Sequence, residues 1–378
     1  MTEGTPAGVQ APWGPGKGQY PKAAPRTEID DTTTPAPTTP DEREGQQWDM
    51  QMIKVPEAHQ ITQGSSKVLV GVLDSGIDAD HPDLANQIDW STSVGCADAG
   101  RPDTAAAAWQ PTTSDHGTHV AGTIAAERNG IGIVGVAPGV KMASVKVVND
   151  DGYIFPEYAI CGFMWAGEHG MDVTNNSYYI DPFEFWCSDQ PEQAPAIEAV
   201  RRAVRWSSDQ GAAHVAAAGN SAYDLANKTT DSNSPNDQPT ATQRVINSGC
   251  VDMPTELDGV VTVSSIDRAK ELSYFSNRGL GKIDVAAPGS SILSTIVRNN
   301  GWGTKSGTSM ASPHVAGVLA LMKSAHPDLT PEQMISKLRA DAMDTECSTT
   351  TRGAACVGTP QENSYYGHGI VDALAAVK

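Results

Sequence analysis

The sequence predicts an α/β fold in three layers, with a mainly parallel central sheet between two layers of helices. Short apolar runs of strand length alternate with segments of helical character along most of the chain. Most of these runs end in a turn that contains Gly, Ser, Asn or Asp. Strands that are joined through helices form right-handed βαβ units, and helices then cover the parallel sheet on both faces.

The predicted strands are short and strongly apolar. The first, KVLVGVLDSG at 67–76, is a buried strand that ends in a turn. Such runs are typical of a parallel sheet that is buried on both faces. Further strands are predicted at 140–148, 171–177, 212–220, 259–267 and 282–289.

The predicted helices lie between these strands. Small residues fill 118–127, and the segment 156–170 begins with Pro and ends with Gly. At 196–211 the apolar residues recur on one helical face, and Gly211 is suited to the C-terminal cap. A last apolar helix is predicted directly after Ser309, so the hydroxyl of Ser309 lies where a loop enters a buried helix.

The composition limits the classes of partner. The chain has 378 residues, 26 basic and 45 acidic side chains, and a formal net charge of −19. This balance argues against nucleic acid and against anionic membranes. No apolar run reaches the roughly 18 residues of a membrane span, and the start, MTEGTPAGVQAPWGPGKGQYP, lacks the apolar core of a signal peptide.

The chain divides into two parts by composition. Residues 1–45 are rich in Pro, Gly and Thr and are predicted to be a disordered linker. Residues 46–378 have the alternating apolar runs and polar turns of one globular domain, and this segment is long enough to bury a large core.

Six cysteines are present, and none forms a CxxC pair, so neither a zinc site nor a redox motif is indicated. An even number without metal spacing predicts disulfide bonds and an oxidising compartment; the alternative is a set of scattered buried thiols. One predicted pair, Cys347–Cys356, flanks a short polar loop. The pairing of the other four stays open, with Cys187–Cys250 and Cys96–Cys161 preferred.

Four polar residues stand at predicted element boundaries: Asp74, His116, Asn220 and Ser309. Taken singly, each has an ordinary structural explanation as a turn former or a helix cap. Catalytic groups in parallel sheets gather beyond the carboxyl ends of the strands, so we expect these four side chains to share one edge. Together they supply a nucleophile, a base, an acid that orients the base and a donor for an oxyanion, which are the parts that acyl transfer needs.

The motifs around these residues resemble those of the subtilisin-like serine endopeptidases of the subtilase family. The resemblance runs from about Trp48 to the C-terminus and includes VGVLDSGIDADHPDL, DHGTHVAGTIAA, VAAAGNS and GTSMASPHVAG, in the chain order Asp, His, Ser. The cysteines and the insertion NNSYYIDPFEFWC are most similar to those of secreted actinobacterial members.

The resemblance implies a role for each of the four residues. Ser309 would be the nucleophile, and His116 the general base and then the general acid. Asp74 would fix the imidazole tautomer and stabilise the imidazolium. Asn220 and the Ser309 main-chain N–H would bind the oxyanion. Pro313 is expected in the first turn of the helix, where no N–H is needed.

Substrate-binding segments are implied in the same way. The substrate main chain would add as a strand between Gly152-Tyr153-Ile154-Phe155 and Ser177-Tyr178-Tyr179, a mode that suits broad endopeptidase activity. Ser177–Tyr179 and Ala217-Ala218-Gly219 would wall the pocket for the first side chain. The family often has a small Leu-Gly pair where this chain has Tyr178-Tyr179. Asp181 and Glu184 follow closely, so a preference for basic residues and plain solvated loop acids both stay open.

The resemblance also implies a structural calcium ion, whereas catalysis itself would need no cofactor. The ligands would come from the loop ERNGIGIVG at 127–135 and from two further carboxylates. The alternative is a plain glycine turn beside a solvated Asp. The implied ligands are the side chains of Asp83, Asn129 and Glu44 and the carbonyl oxygens of Glu127, Ile131 and Ile133.

The partners and the location follow from the same resemblance. We expect a secreted, extracellular monomer that acts on protein or peptide substrates. Family members commonly carry a folding-assisting pro-domain, and residues 1–45 are too polar to be one, so we expect it to be absent from this chain. His119 lies three residues after His116 but lacks a third ligand at helical spacing, which favours a structural role.

Two other functions compete with broad proteolysis. One is a non-catalytic subtilase-fold protein that binds peptides, although such proteins usually lose a triad member. The other is a membrane-anchored maturation protease with narrow specificity, which would need a membrane helix after the terminal VDALAAVK.

Overall fold

The computed structural model describes residues 39–238, 242–347 and 355–378. Within these ranges a large central sheet is covered by helices on both faces, so the predicted three-layer α/β/α fold is confirmed. The strands are, in chain order, β1 (Leu69–Asp74), β2 (Val94–Asp98), β3 (Arg101–Asp103), β4 (Lys141–Lys146), β5 (Val173–Asn176), β6 (Trp186–Cys187), β7 (Ala213–Ala217), β8 (Thr230–Asp231), β9 (Arg244–Val245), β10 (Cys250–Val251), β11 (Val260–Ile266), β12 (Val285–Pro288), β13 (Ile292–Ile296), β14 (Gly301–Lys305), β15 (Gly358–Thr359) and β16 (Glu362–Asn363).

The central sheet has the strand order β12-β11-β7-β5-β1-β4-β2-β3. The first six of these are the six predicted strands, and they pair in parallel throughout. The two remaining strands, β2 and β3, form an edge whose last pair is antiparallel. They were not predicted from the sequence, and β3 is an exposed Arg-Pro-Asp segment without an apolar signal.

The helices are α1 (Trp48–Met52), α2 (Val55–Ala58), α3 (Ala106–Trp109), α4 (His116–Ala125), α5 (Pro156–Glu168), α6 (Ala194–Asp209), α7 (Thr308–Ala325), α8 (Pro331–Asp341) and α9 (Ala373–Ala376). Among the described residues, none is both long enough and apolar enough to cross a membrane.

Two apolar cores lie on opposite faces of the sheet. Side chains alternate along β1, so Val70 and Val72 join the core that contains α4 and α7. Leu69 and Leu73 join the core that contains α5 and α6. Both faces of β1 are fully buried, which explains its uninterrupted apolar sequence.

All three predicted disulfide bonds are present. Cys96–Cys161 links β2 to α5, and Cys187–Cys250 ties the short ladder of β6 and β10. Cys347–Cys356 closes a loop near the C-terminus.

The predicted linker at 1–45 extends too far. Residues 1–38 lie outside the described residues, but the chain packs against the domain from Asp41 onward. The carboxylate of Asp41 accepts a hydrogen bond of 2.7 Å from the main-chain N–H of Gly130. Local composition did not reveal this contact, because the partner lies 89 residues away.

Candidate active site

The four predicted residues gather at the carboxyl edge of the sheet. Asp74 is the last residue of β1, and Asn220 follows three residues after β7. His116 begins α4, and Ser309 is the second residue of α7. Parallel strands end at the same edge, and both helices start there, so the fold brings together side chains from distant segments.

Asp74 and His116 form a hydrogen-bonded pair. Nδ1 of His116 lies 2.8 Å from Oδ1 and 3.0 Å from Oδ2 of Asp74. The main-chain N–H of Ser75 also donates to Asp74 Oδ1, at 2.7 Å. Because a carboxylate accepts, Nδ1 of His116 carries the proton and Nε2 is left as a base.

The charge of Asp74 sets the basicity of His116. Burial alone lowers the pKa of the imidazole, but the negative charge and hydrogen bond of Asp74 outweigh it, so the pKa of His116 is raised. Nearby Lys305 opposes this rise and Asp115 supports it. The net effect is a stronger base than an ordinary histidine.

The hydroxyl of Ser309 lies at the entrance of α7 and donates to the main-chain carbonyl of Ser177 at 3.2 Å. Among the described residues no hydrogen bond joins it to His116. Catalytic hydrogen bonds are often long without substrate and tighten in the substrate complex.

The expectation for Pro313 was wrong. α7 begins at Thr308, so Pro313 lies in the second turn of the helix and not in the first. Its missing N–H would have bonded to the carbonyl of Ser309, four residues earlier. The hydroxyl of Ser177 replaces it and donates to the Ser309 carbonyl at 3.1 Å. Because Pro313 has no N–H, the Ser309 carbonyl accepts from Ser177 instead, and this bond fixes the start of α7 to the loop that follows β5.

Asn220 is oriented by Thr308. Its Oδ1 accepts hydrogen bonds from the Thr308 main-chain N–H at 2.8 Å and from the Thr308 hydroxyl at 2.9 Å. These two bonds fix the orientation of the Asn220 side-chain amide, so Nδ2 is the atom that remains to donate. A β carbon built on Gly307 would lie 3.6 Å from Asn220 Nδ2 and 3.6 Å from the main-chain nitrogen of Ser309. The two donors thus flank one point beside Gly307.

A cavity of about 300 Å³ opens next to these groups. It contains most of the predicted substrate residues and several that the sequence pattern did not indicate. Its lining consists of Gly152, Tyr153, Ile154, Ser177, Tyr178, Tyr179, Asp181, Glu184, Ala217, Gly219, Asn220, Ser221, Asn236, Asp252, Thr308 and Ser309.

Ala218 does not line the cavity, contrary to expectation. Its side chain packs in a separate apolar cluster with Phe185 and Cys187. β7 ends at Ala217 and Gly219 has a φ of +100°, so the chain turns here, with Ala217 and Gly219 at the cavity and the Ala218 side chain in the apolar cluster.

Tyr178 and Tyr179 form one wall. The hydroxyl of Tyr178 donates to Asn176 at 3.0 Å, and that of Tyr179 accepts from the Asn236 amide at 2.9 Å. Burial raises the pKa of both phenols, and Asp74 adds to the rise at Tyr178. Both rings therefore stay neutral.

Asp252, Asn236, Ser221 and Thr308 are cavity residues that sequence reasoning missed. Asp252 follows β10 directly, 32 residues after Asn220, in a segment without strand periodicity. The sequence holds no signal that would have brought it to this cavity.

His119 occupies a structural position. Its Nε2 lies 3.1 Å from the carbonyl of Ile292 and 3.2 Å from that of Gly303. Burial, then the positive charge of His116 and Lys305, lowers the pKa of His119 to about 3.

Two buried carboxylates with unused oxygens, Asp83 and Asp41, lie beside the predicted calcium loop. Asp83 Oδ2 accepts from the Trp302 indole at 2.7 Å and from the Ile133 N–H at 3.1 Å, whereas its Oδ1 has no hydrogen-bond partner. Asp41 Oδ2 is equally buried and also lacks a partner. Burial raises the pKa of both carboxyls, and the charge of Asp83 adds to the rise at Asp41.

Glu44 is engaged elsewhere, contrary to the implied ligand set. Its two oxygens bind Arg128 at 2.7 and 3.0 Å. The N-terminal carboxylate at the loop is Asp41, three residues earlier. The sequence alone does not place this segment, because its position depends on how the chain enters the domain.

The remaining implied ligands lie on the loop itself. Asn129 Oδ1 accepts the Ile131 N–H at 3.1 Å. Within the described part of the chain, no hydrogen bond ends on the carbonyls of Glu127, Ile131 or Ile133. Unused buried carboxylate oxygens beside such carbonyls match the oxygen ligands that calcium takes, so the residues present fit the ion.

Comparison with known proteins agrees with this fold and cleft. A family model described as "Subtilase family" matches residues 65–369. Subtilisin from Bacillus pumilus is 32% identical over 331 residues, which cover 88% of this chain and 98% of that protein. The major intracellular serine protease of Bacillus subtilis is 36% identical over 277 residues, which cover 73% of this chain and 74% of that protein.

Solved structures give the same result. A protease from Pseudoalteromonas arctica has a TM-score of 0.67 and 30% identity, with 90% of this chain and 99% of that chain covered. Fervidolysin from Fervidobacterium pennivorans, a keratinolytic enzyme related to subtilisin, has a TM-score of 0.66 and 26% identity, with 89% and 46% covered.

The fold, the cleft and these relatives define a serine-type endopeptidase, an enzyme that hydrolyses peptide bonds in proteins or peptides. The match spans most of the sequence, and the chain belongs to the subtilase family.

Proposed function

We propose that this enzyme cleaves polypeptides through an acyl-enzyme on Ser309, with His116 as the base, Asp74 as its partner and Asn220 in the oxyanion site. The Asp74–His116 pair, set at the same edge as a serine at a helix start, carries the proposal. The raised pKa of His116 supports a role as proton acceptor.

The first step transfers the Ser309 hydroxyl proton to Nε2 of His116 while Oγ bonds to the substrate carbonyl carbon. Before this, the hydroxyl exchanges its bond to the Ser177 carbonyl for one to His116. Asp74 stabilises the imidazolium that forms. The carbonyl oxygen becomes an oxyanion and accepts from the Ser309 N–H and from Asn220 Nδ2.

The tetrahedral species then collapses. The C–N bond breaks, and His116 gives its proton to the leaving amine. Water then attacks the ester carbonyl carbon while His116 takes a proton from it. The C–Oγ bond breaks, the carboxylic acid product leaves, and His116 returns the proton to Oγ of Ser309. The start of α7 supports negative charge at this point, since helix N-termini favour anions.

Substrate main chain would lie between Gly152–Ile154 and Ser177–Tyr179, which both border the cavity. A substrate that binds as an added strand is recognised through its main chain at most positions, and the cavity recognises one of its side chains. The alanine and glycine at 217 and 219 leave room for that side chain.

A calcium ion would stabilise the fold at the loop 127–133. The side chains of Asp41, Asp83 and Asn129 and the loop carbonyls would hold it, and the ion would neutralise two buried negative charges. It would take no part in the chemistry of peptide hydrolysis.

The enzyme would act outside the cell as a monomer. Three disulfide bonds suit an oxidising compartment. The net charge of −19 suits a protein that stays dispersed in an ionic medium.

The test is covalent labelling of purified enzyme with a fluorophosphonate, alongside cleavage of a mixed peptide library. We expect label on Ser309 and cleavage in wild type, and neither in Ser309→Ala with its thermal unfolding unchanged. A peptide-binding protein without activity would bind the library but cleave nothing, and a narrow maturation protease would cleave very few members. Unchanged proteolysis by Ser309→Ala would refute the nucleophile.

A further inference from the structure

Asp252 is held rigidly against the cavity. It follows β10, whose ladder with β6 is closed by the Cys187–Cys250 disulfide. Its main-chain N–H donates to Glu256 at 2.9 Å. The carboxylate of Asp252 is therefore placed by two anchors that do not involve its own oxygens.

The carboxylate itself has no hydrogen-bond partner among the described residues. Asp252 is only 2% exposed, lines the cavity, and has a buried Oδ1 without a partner. Its Oδ2 lies 3.7 Å from a β carbon built on Gly219, the wall residue next to Asn220. An unpaired buried charge is strongly unfavourable, so this group requires a cation or a proton.

The nearest cations are already paired. Lys228 binds the carboxylate of Glu256, and both side chains are 1% exposed. Lys282 binds the same Glu256 at 3.1 Å. Lys228 lowers the pKa of Asp252 through its charge, but both lysines are bonded to Glu256, so among the described residues no cation is hydrogen-bonded to the Asp252 carboxylate.

A second acid borders the same cavity. Glu184 is buried and accepts from the Asn233 amide at 2.6 Å. Asp181 also lines the cavity, but its two oxygens are bonded to the Ile154 N–H and the Asn236 amide. The lining contains three acids and no Lys or Arg. Its electrostatic field therefore favours a cation.

We propose that Asp252, assisted by Glu184, selects a lysine or arginine side chain immediately before the scissile bond. This inference rests on the proposed protease function and adds its substrate class. The apolar stem of a lysine or arginine side chain packs on an aromatic wall while its charged tip reaches a polar partner. Tyr178 and Tyr179 provide such a wall.

A metal ion fits this position less well. Among the described residues, the one cluster of three potential Cys, His, Asp or Glu ligand atoms is Cys187, Asp189 and Cys250, in which both sulfurs form a disulfide. Asp252 and Glu184 belong to no such cluster. Burial, then Glu256 and Glu184, raises the pKa of Asp252, and a bound ammonium or guanidinium would offset all three effects.

The experiment compares kcat/KM for tetrapeptide p-nitroanilides that differ only in the last residue: Arg, Lys, Met or Phe. Met is the uncharged side chain of similar length. We expect wild type to prefer Arg or Lys over Met by about tenfold or more. Asp252→Asn should lose that preference, and Glu184→Gln should lose part of it.

The matched control is Asp209→Asn, an equal charge change on the exposed end of α6. That end lies at the opposite edge of the sheet, so the preference should stay as in wild type. Wild type that prefers Met or Phe over Arg, or a preference that survives in Asp252→Asn, would overturn the inference while leaving the protease function intact. Wild type that cleaves none of the four would count against both.

A binding measurement separates specificity from catalysis. Benzamidine, a small aromatic amidinium, should bind calorimetrically to Ser309→Ala and about tenfold or more weaker to Ser309→Ala with Asp252→Asn. Equal affinity for both variants would overturn the role of Asp252. Thermal unfolding of Asp252→Asn should stay close to that of wild type, because the side chains have nearly the same size and the raised pKa of Asp252 favours an uncharged carboxyl when no cation is bound.

Discussion

Nε2 of His314 lies 2.9 Å from Oδ2 of Asp49, and both side chains are fully buried. Nδ1 of the same ring donates to the carbonyl of Met310, at 2.9 Å, in the turn that also carries Ser309. The pair therefore joins the short helix α1 to the helix of the proposed nucleophile. It lies outside the cavity and takes no part in the proposed chemistry.

Asp49→Ala should lower the free energy of unfolding by about 1–3 kcal/mol, because it leaves a buried imidazole nitrogen of His314 without its hydrogen-bond partner. Chemical denaturation measures this directly. The control is Asp98→Ala, whose partner Arg101 and own side chain are 74% and 75% exposed, and which should change stability little. Equal small effects from both substitutions would contradict the importance of the buried pair.

The rate should fall in acid with a midpoint above pH 6.5. His116 acts as a base only when neutral, and Asp74 raises its pKa above the ordinary value of 6.5. As pH falls through that raised pKa, the ring is protonated and kcat/KM drops. In Asp74→Asn the acid limb should move to lower pH together with a large loss of rate, and an unmoved limb would contradict the assignment.

Asn220→Ala should lower kcat by roughly 10²–10³, with KM nearly unchanged. This magnitude is the one known for a side-chain oxyanion donor in subtilisin, a relative of this chain, and it is transferred from that enzyme. The Ser309 N–H remains, so activity should persist above that of Ser309→Ala. Steady-state kinetics on one good substrate decides this, and a pure KM effect would place Asn220 outside the oxyanion site.

Calcium should protect the enzyme against thermal inactivation through Asp41 and Asp83. At a hundredfold excess over its dissociation constant, the ion would add about 2.7 kcal/mol of stability. The rate of thermal inactivation should be much lower in calcium than in a chelator for wild type. The two rates should differ little for Asp83→Ala or Asp41→Ala. Glu44→Gln is the matched control, because Glu44 binds Arg128, and it should keep the difference. Protection retained in both Asp variants would show that the ion binds elsewhere.

Acid should destabilise the fold through His214. Burial lowers the pKa of His214 to about 4, whereas the unfolded chain binds the proton near pH 6.5. The contribution of neutral His214 to the free energy of unfolding is complete above pH 6.5. It is lost as pH falls toward 4, at up to about 1.4 kcal/mol per pH unit. His214→Gln should have a shallower decline of unfolding free energy over this range, and parallel curves would contradict it.

The amino-acid sequence by itself determined six of the eight strands of the central sheet and the residue types that are proposed for catalysis. Buried parallel strands require continuous apolar runs, so β1, β4 and β5 were readable from local pattern. Asp74 and Ser309 stand at the ends of such segments, where the change from apolar to polar is itself local information. The order of the segments and their resemblance to subtilases supplied the rest of the proposed triad.

Only the tertiary structure decided which groups meet across long separations. The side chain of Ala218 packs in a separate apolar cluster and not at the cavity, at the point where the chain leaves β7 and turns at Gly219. Asp41 took the place expected for Glu44, whose carboxylate pairs with an arginine 84 residues away. The β6–β10 ladder and the Cys187–Cys250 disulfide position Asp252 at the cavity. Such positions depend on packing between distant segments, and no local pattern of residues encodes them.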